Sequence, residues 1–279
     1  MDIEGRAIAY VEVNCLIEVI FLAIPRIYKT EAIVLRQNSL GEADRIVTLY
    51  TPLNGKVRAV ARGVRRPKSK LSGHLELLNR VKVSLARGRN LDIVSEAEVV
   101  KGYRQIRSDL NRITKAIYMA ELVDNFSVES APNQPLFNLA LEFMEWLSGD
   151  ANSDILLRYF EARLLDVTGY KPEIVQCVEC RTLLAETDHL FAAGSGGVLC
   201  SECKTQAIGT LLPITVNAMK ILRFFLKQRA YNGVHRLTVK SQFITELERL
   251  HGVYIRYLLE KDLKSSEFMT MVAASSSKI

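Results

Sequence analysis

Residues 56–70 read KVRAVARGVRRPKSK. Val57, Ala59 and Ala61 alternate there with Arg58 and Arg62, the period-two pattern of a strand that buries one face. The stretch then runs on as Arg62-Gly63-Val64-Arg65-Arg66-Pro67-Lys68-Ser69-Lys70, with five cations and no acid. Like charges crowded into one loop repel each other. Such a loop is either a solvated surface feature or a contact for phosphates, whose counterions are released on binding.

The flanking segments carry the same two-residue period. Thr30–Gln37 and Ala43–Thr51 are rich in β-branched residues, and Pro52-Leu53-Asn54-Gly55 supplies a turn. Downstream, Val81, Val83 and Leu85 alternate with Lys82 and Ser84. Arg87-Gly88-Arg89-Asn90 then turns the chain into a fifth strand over Leu91–Val100. Five short-linked strands predict a small antiparallel barrel, for which an OB-type barrel is the commonest basic version; a small sandwich or an SH3-like barrel shares the pattern.

Charge singles out the same segment. The chain has 279 residues and a formal charge of +6, yet Arg26 to Arg104 holds seventeen Lys and Arg against seven Asp and Glu, a net charge of +10. The first 25 residues carry −3 and everything after Arg104 carries −1. That asymmetry points to a polyanion partner. The candidate nucleic-acid contacts are Arg58, Arg62, Arg65, Arg66, Lys68, Lys70, Lys82, Arg87 and Arg89. Tyr28, Tyr50 and Tyr103 are the segment's only aromatics, so the expected grip is on phosphates more than on stacked bases, weakly sequence-specific and strongly salt-dependent.

After Arg104 the hydrophobic period lengthens to three or four. Leu110, Ile113, Ile117 and Ala120 share a stripe behind a Ser108/Asp109 cap signal, and further helices fall near Leu136–Phe143, Leu156–Leu165, Val216–Gln228 and Phe243–Leu259. Within this region Cys177, Cys180, Cys200 and Cys203 form C-x2-C-x19-C-x2-C. Each C-x2-C turn aims two thiolates at one point, and two turns complete a tetrahedron around Zn2+. A pair of disulfides is disfavoured in a reducing cytoplasm, and two C-x2-C copies outside a thioredoxin-like βαβ unit argue against redox chemistry. Four thiolates leave no open coordination position, so the predicted zinc is structural, and His189 is read as a surface histidine.

No phosphate-binding Gly-rich loop with Lys-Ser/Thr, no H-E-x-x-H, no G-x-S-x-G and no compact acidic cluster is present. A non-enzymatic protein is expected. Val11–Ile24 is apolar but broken by Glu12, Asn14 and Glu18; an extension or upstream leader is the favoured reading, ahead of an added strand or helix and of a membrane or export segment. The expected location is cytoplasmic and nucleoid-associated, with no membrane partner.

Several stretches together resemble the bacterial RecO family of recombination-repair proteins. They are Tyr28–Leu35 (YKTEAIVL), Gly41–Thr51 (GEADRIVTLYT), Gly55-Lys56, Ala61–Arg65 (ARGVR), Tyr118–Leu122 (YMAEL) and Phe160–Gly169 (FEARLLDVTG) leading into the first cysteine pair. The resemblance spans Tyr28 to Phe268 and leaves out the first 26 residues. It implies an α+β multidomain chain: an extension at 1–26, an OB-type DNA-binding barrel at 27–105, and a helical domain at 106–268 with an inserted four-cysteine zinc element at 175–206. A disordered tail is expected at 269–279. It also implies binding of single- and double-stranded DNA, annealing of strands coated by single-stranded DNA-binding protein, and action with RecR to load RecA. The acidic C-terminal tail of the single-stranded DNA-binding protein would meet the helical domain, where Arg223 and Lys227 beside Phe224 and Phe225 are the candidate contacts and core packing of the two Phe is the competing reading. Two other classes remain open on the residues alone: an RNA- or ribosome-associated barrel-and-zinc protein, and a zinc-dependent enzyme with an open metal site.

Overall fold

The computed structural model describes residues 26–149, 151–205 and 209–276; the apolar run Val11–Ile24 lies outside them. Five strands, β1 (Ile27–Leu40), β2 (Asp44–Thr51), β3 (Gly55–Ala61), β4 (Arg80–Ala86) and β5 (Asp92–Lys101), close a barrel in the order β1-β2-β3-β5-β4. All neighbours are antiparallel except β3 and β5, which pair in parallel through Ala59–Asp92 and Val60–Ile93. The alternation read from the sequence sets the interior: Val57, Ala59 and Ala61 of β3 meet Ala32, Val34, Val47, Leu49, Val81, Val83 and Leu85. Val64 and Leu75 belong to the same core, so the long β3–β4 connection is pinned by an apolar residue near either end while its cations stay outside.

β1 is buried on both faces at Ala32–Leu35. Ala32 and Val34 face the barrel, whereas Ile33 and Leu35 join the core of the helical part. Tyr50 of β2 does the same. Its ring lies 6.2 Å from that of Phe137, and its hydroxyl donates to the Asn133 carbonyl at 3.2 Å. Side chains of the barrel strands thus enter the core of the helical part, beside the barrel's own core.

The helices are α1 (Arg104–Arg107), α2 (Leu110–Phe126), α3 (Gln134–Ser148), α4 (Ser153–Val167), α5 (Val216–Lys227), α6 (Ser241–Leu259) and α7 (Lys264–Ser276). Side-chain caps set four starts: Asp109 accepts from Arg112 N, Asn133 from Leu136 N, Asn152 from Asp154 N and Ile155 N, and Thr215 from Ala218 N. Between α4 and α5 lies a small antiparallel sheet ordered β7-β6-β8, made of β6 (His189–Ala192), β7 (Gly197–Leu199) and β8 (Leu211–Ile214). One expectation needs correction: residues 269–276 continue α7 instead of forming a disordered tail. The helix is held from outside its own sequence, because the Glu121 carboxylate of α2 accepts the N–H groups of Lys264 and Ser265, at 3.2 and 2.8 Å. No helix among the described residues is long and apolar enough to cross a membrane.

Candidate nucleic-acid interface and metal centre

The four cysteines converge. Their Sγ atoms all lie within 4.8 Å of one another, with Cys180 and Cys200 at 3.7 Å. A tetrahedron with bonds of about 2.3 Å has S···S edges of about 3.8 Å, so the thiols are spaced for one ion. Cys177 is buried and Cys180 exposed. Burial pushes the Cys177 thiol up, but N–H groups of Cys200, Cys180 and Glu179 outweigh it, and the net shift is downward. The Thr182 hydroxyl, 2.9 Å from Cys180 Sγ, and the Thr182 N–H lower the Cys180 thiol to about 6. Both effects favour the thiolate, the form that binds metal, while hydrogen bonds with the Cys200 and Cys180 thiols push Cys203 up to about 12. His189 is not in this cluster; its Nε2 lies 2.9 Å from the Ala185 carbonyl oxygen.

The nine candidate cations do not form one patch. Arg62, Arg65, Arg66, Lys68 and Lys70 are exposed at the end of β3 that meets the β1–β2 turn. That loop is fastened by its backbone: Asp44 Oδ1 accepts Gly63 N–H at 2.7 Å, Ala43 O accepts Arg65 N–H at 2.9 Å, and Arg65 Nη1 donates to Gly41 O at 3.2 Å. None of the five has a carboxylate within ion-pair distance among the described residues. Arg58 stands on the outer face of β3, 3.8 Å from Glu129. Arg87 and Arg89 lie at the other end of the strand, in the β4–β5 turn, where they line a cleft with Arg58, Tyr28 and Asn54.

Lys82 is set apart from these. On the outer face of β4 it stands in register with Glu31 on one side and Glu98 on the other, a surface of mixed charge. Lys56 and Arg36, in the basic segment but not among the proposed contacts, both reach Asp124, at 3.3 and 3.4 Å. They tie the barrel to the helices.

The aromatics are more restricted than the sequence indicates. Tyr50 and Tyr103 are buried, leaving only half-buried Tyr28 near solvent in the barrel. In the helical part, the Arg223 guanidinium donates through Nε to the Ile174 carbonyl at 2.9 Å, Lys227 is exposed, and Phe225 is fully buried. Arg223 thus fastens α5 to the chain entering the cysteine knuckle. Sequence reasoning missed the carboxylates that hold these groups in place (Asp44 and Asp124), because a carboxylate paired with a distant N–H or cation leaves no local pattern.

Two family models match the chain in succession across these features: Recombination protein O N terminal over residues 26–103, and Recombination protein O C terminal over residues 107–267. The chain belongs to the RecO family. Proteins named DNA repair protein RecO are similar over most of its length. The one from Dehalococcoides mccartyi is 39% identical over 241 residues, covering 86% of this chain and 94% of its own. That of Roseiflexus sp. is 39% identical over 246 residues, covering 88% and 85%. That of Desulforamulus reducens is 38% identical over 244 residues, covering 88% and 94%. The boundary between the two RecO models falls at α1, where the barrel gives way to helices.

Proposed function

We propose that this RecO-family chain is a non-catalytic DNA-binding mediator of recombinational repair. It grips single- and double-stranded DNA by the phosphate backbone, anneals complementary strands, and acts with RecR to load RecA on strands coated by single-stranded DNA-binding protein. The observation that carries the DNA contact is the exposed loop Arg62–Lys70, its backbone bonded at Gly63 and Arg65, with five cations none of which has a carboxylate within ion-pair distance among the described residues. Keeping such charges together costs repulsion that phosphates would relieve. Arg58 extends the same face along β3. A protein that holds phosphates and leaves bases unstacked presents those bases for pairing, as annealing requires.

The metal in this reading is one Zn2+, held by Cys177, Cys180, Cys200 and Cys203. Zinc suits a tetrathiolate donor set, and a closed site supplies structure rather than an activated water. For the acidic tail of the single-stranded DNA-binding protein, Arg223 and Lys227 remain the proposed contacts. Because Arg223 is already engaged with Ile174, exposed Lys227 is the freer of the two.

Changing Arg65, Arg66, Lys68 and Lys70 together to Ala tests the DNA contact. Binding should weaken about equally for every sequence, and the slope of log affinity on log salt should flatten by about 0.7–0.9 per lost phosphate contact. A folded quadruple variant with wild-type affinity and salt slope refutes the assignment. Annealing assayed with and without the strand-coating protein tests the mediator role.

A further inference from the structure

The β4–β5 turn is built more carefully than a phosphate contact requires. The Arg87 guanidinium lies over the Tyr28 ring, 4.7 Å from its centroid. The Tyr28 hydroxyl donates to Asp92 Oδ2 at 2.6 Å, and Asp92 Oδ1 accepts Gly88 N–H at 3.1 Å. Arg87 N–H is bonded to the Arg26 carbonyl at 2.8 Å. Gly88 is pressed so close to Leu91 that a Cβ would stand 1.9 Å from its carbonyl oxygen. The turn is therefore rigid, and neither Arg87 nor Arg89 has a carboxylate partner within ion-pair distance among the described residues.

Its cleft, about 430 Å³, also differs in chemistry from the loop Arg62–Lys70. The loop offers cations alone. The cleft adds the amides of Asn54 and Asn90, which both donate and accept, and Leu53, which is 76% exposed at its rim. Hydrogen-bond donors and acceptors beside a flat cation and an apolar rim match the edges and faces of a nucleobase; a bare phosphate needs none of them.

We propose that this cleft is a second nucleic-acid site that takes an unpaired nucleotide of single-stranded DNA, its base stacking on the outer face of Arg87 while Arg89 meets the adjoining phosphate. The proposal rests on the DNA-binding reading above and gives that reading a strand preference. The cleft and the loop lie at opposite ends of β3, about 20 Å apart at about 3.3 Å per residue from Lys56 to Arg62. A single strand crossing the face would pass Arg58 and have phosphates held at the loop and one base captured at the cleft. Duplex bases are already stacked and paired, so a duplex gains from the loop and little from the cleft.

Arg87→Lys is the discriminating variant, because it keeps the charge and removes the planar guanidinium. The full-length chain is titrated with fluorescein-labelled oligo-dT and with a blunt duplex of equal length across a salt series. Arg87→Lys should weaken oligo-dT about fivefold or more and leave duplex affinity and both salt slopes unchanged. Equal binding of both DNAs by Arg87→Lys, or an equal loss on both, overturns the proposal; if Arg87→Lys fails to fold, Arg87→Gln is judged by the same single-strand against duplex ratio. The Arg65/Arg66/Lys68/Lys70 variant run alongside separates the two failures. If it alone loses DNA, the second site is wrong; if it retains all binding, the underlying phosphate reading is wrong.

Discussion

Cys177 is the fully buried member of the thiol cluster, packed in the core that also contains Phe191, Leu199 and Tyr254. Removing it should cost more than the metal bond alone. Cys177→Ser should abolish zinc binding and remove folding free energy on the order of 10 kcal/mol in apparent terms, as for small zinc modules. Cys180→Ser, at an exposed position, should also lose the metal but leave the core packing intact. Metal analysis with thermal melts of both variants checks this; a zinc-free wild type, or Cys177→Ser with unchanged melting, counts against it. Glu142 gives a second residue-scale outcome. Burial raises its carboxyl, while the N–H of Tyr231, 2.8 Å away, and the charge of Arg163 oppose the rise. A folded pKa above the unfolded one stabilises the native state at low pH, and that contribution is lost as pH rises through the folded value. Glu142→Gln keeps an acceptor for Tyr231 without the buried charge. Its stability relative to wild type should therefore increase as pH climbs above the ordinary carboxylate value of about 4.3. Denaturant melts at several pH values measure the difference; a gap that is flat with pH rejects the account.

At the scale of elements, Gly55 is where a turn and a domain contact coincide. It opens β3 at φ +62°, and a Cβ there would stand 2.1 Å from the Ala131 carbonyl oxygen in the α2–α3 connection. Gly55→Ala should lower stability by at least about 1–3 kcal/mol, combining left-handed strain with displaced backbone. Urea unfolding midpoints give the test, and an unchanged midpoint would mean that the contact yields freely. The barrel was readable because its five strands run to seven or more residues, long enough for the period of two in β3 to register, and one turn contains the Asn54-Gly55 pair. The cysteine spacing was readable because two short turns fix it locally. β6, β7 and β8 were not, since strands of three or four residues carry no period. α7 was missed for a different reason. Its Ser- and Ala-rich sequence has little amphipathicity, and the carboxylate that caps it belongs to Glu121, over 140 residues earlier. Within the candidate interface, sequence alone identified the cations but not their grouping, because which outer face a strand residue joins depends on its neighbours in the barrel: Lys82 reads as one more cation until Glu31 and Glu98 stand on either side of it.

Across the whole molecule, the barrel and the helices are joined through Tyr50, one of the three aromatics of the basic segment. Tyr50 is fully buried against Phe137, and Ile33, Leu35 and Leu78 enter the helical core with it, while Lys56 donates to the Asp124 carbonyl at 2.6 Å. Covering this part of the β2 face removes a stacking surface and exchanges it for a junction with the helices; under the proposed function DNA is then met by the β3 side and its loops. Tyr50→Ala is therefore a stability variant and not a binding variant. Truncating a fully buried aromatic costs about 3–5 kcal/mol, and here the loss should be felt in both parts at once. The single tryptophan, Trp146 on α3, offers a probe on the far side of the junction, packed against Tyr231 at 5.2 Å between ring centroids. In Tyr50→Ala the unfolding transition seen by Trp146 fluorescence should shift to lower denaturant together with the far-ultraviolet dichroism of the whole chain, while the salt slope of DNA binding by the folded variant stays at the wild-type value. A Trp146 transition that does not move would mean that the barrel and the helices unfold independently, and a reduced single-strand affinity without lost stability would return Tyr50 to the DNA-binding surface.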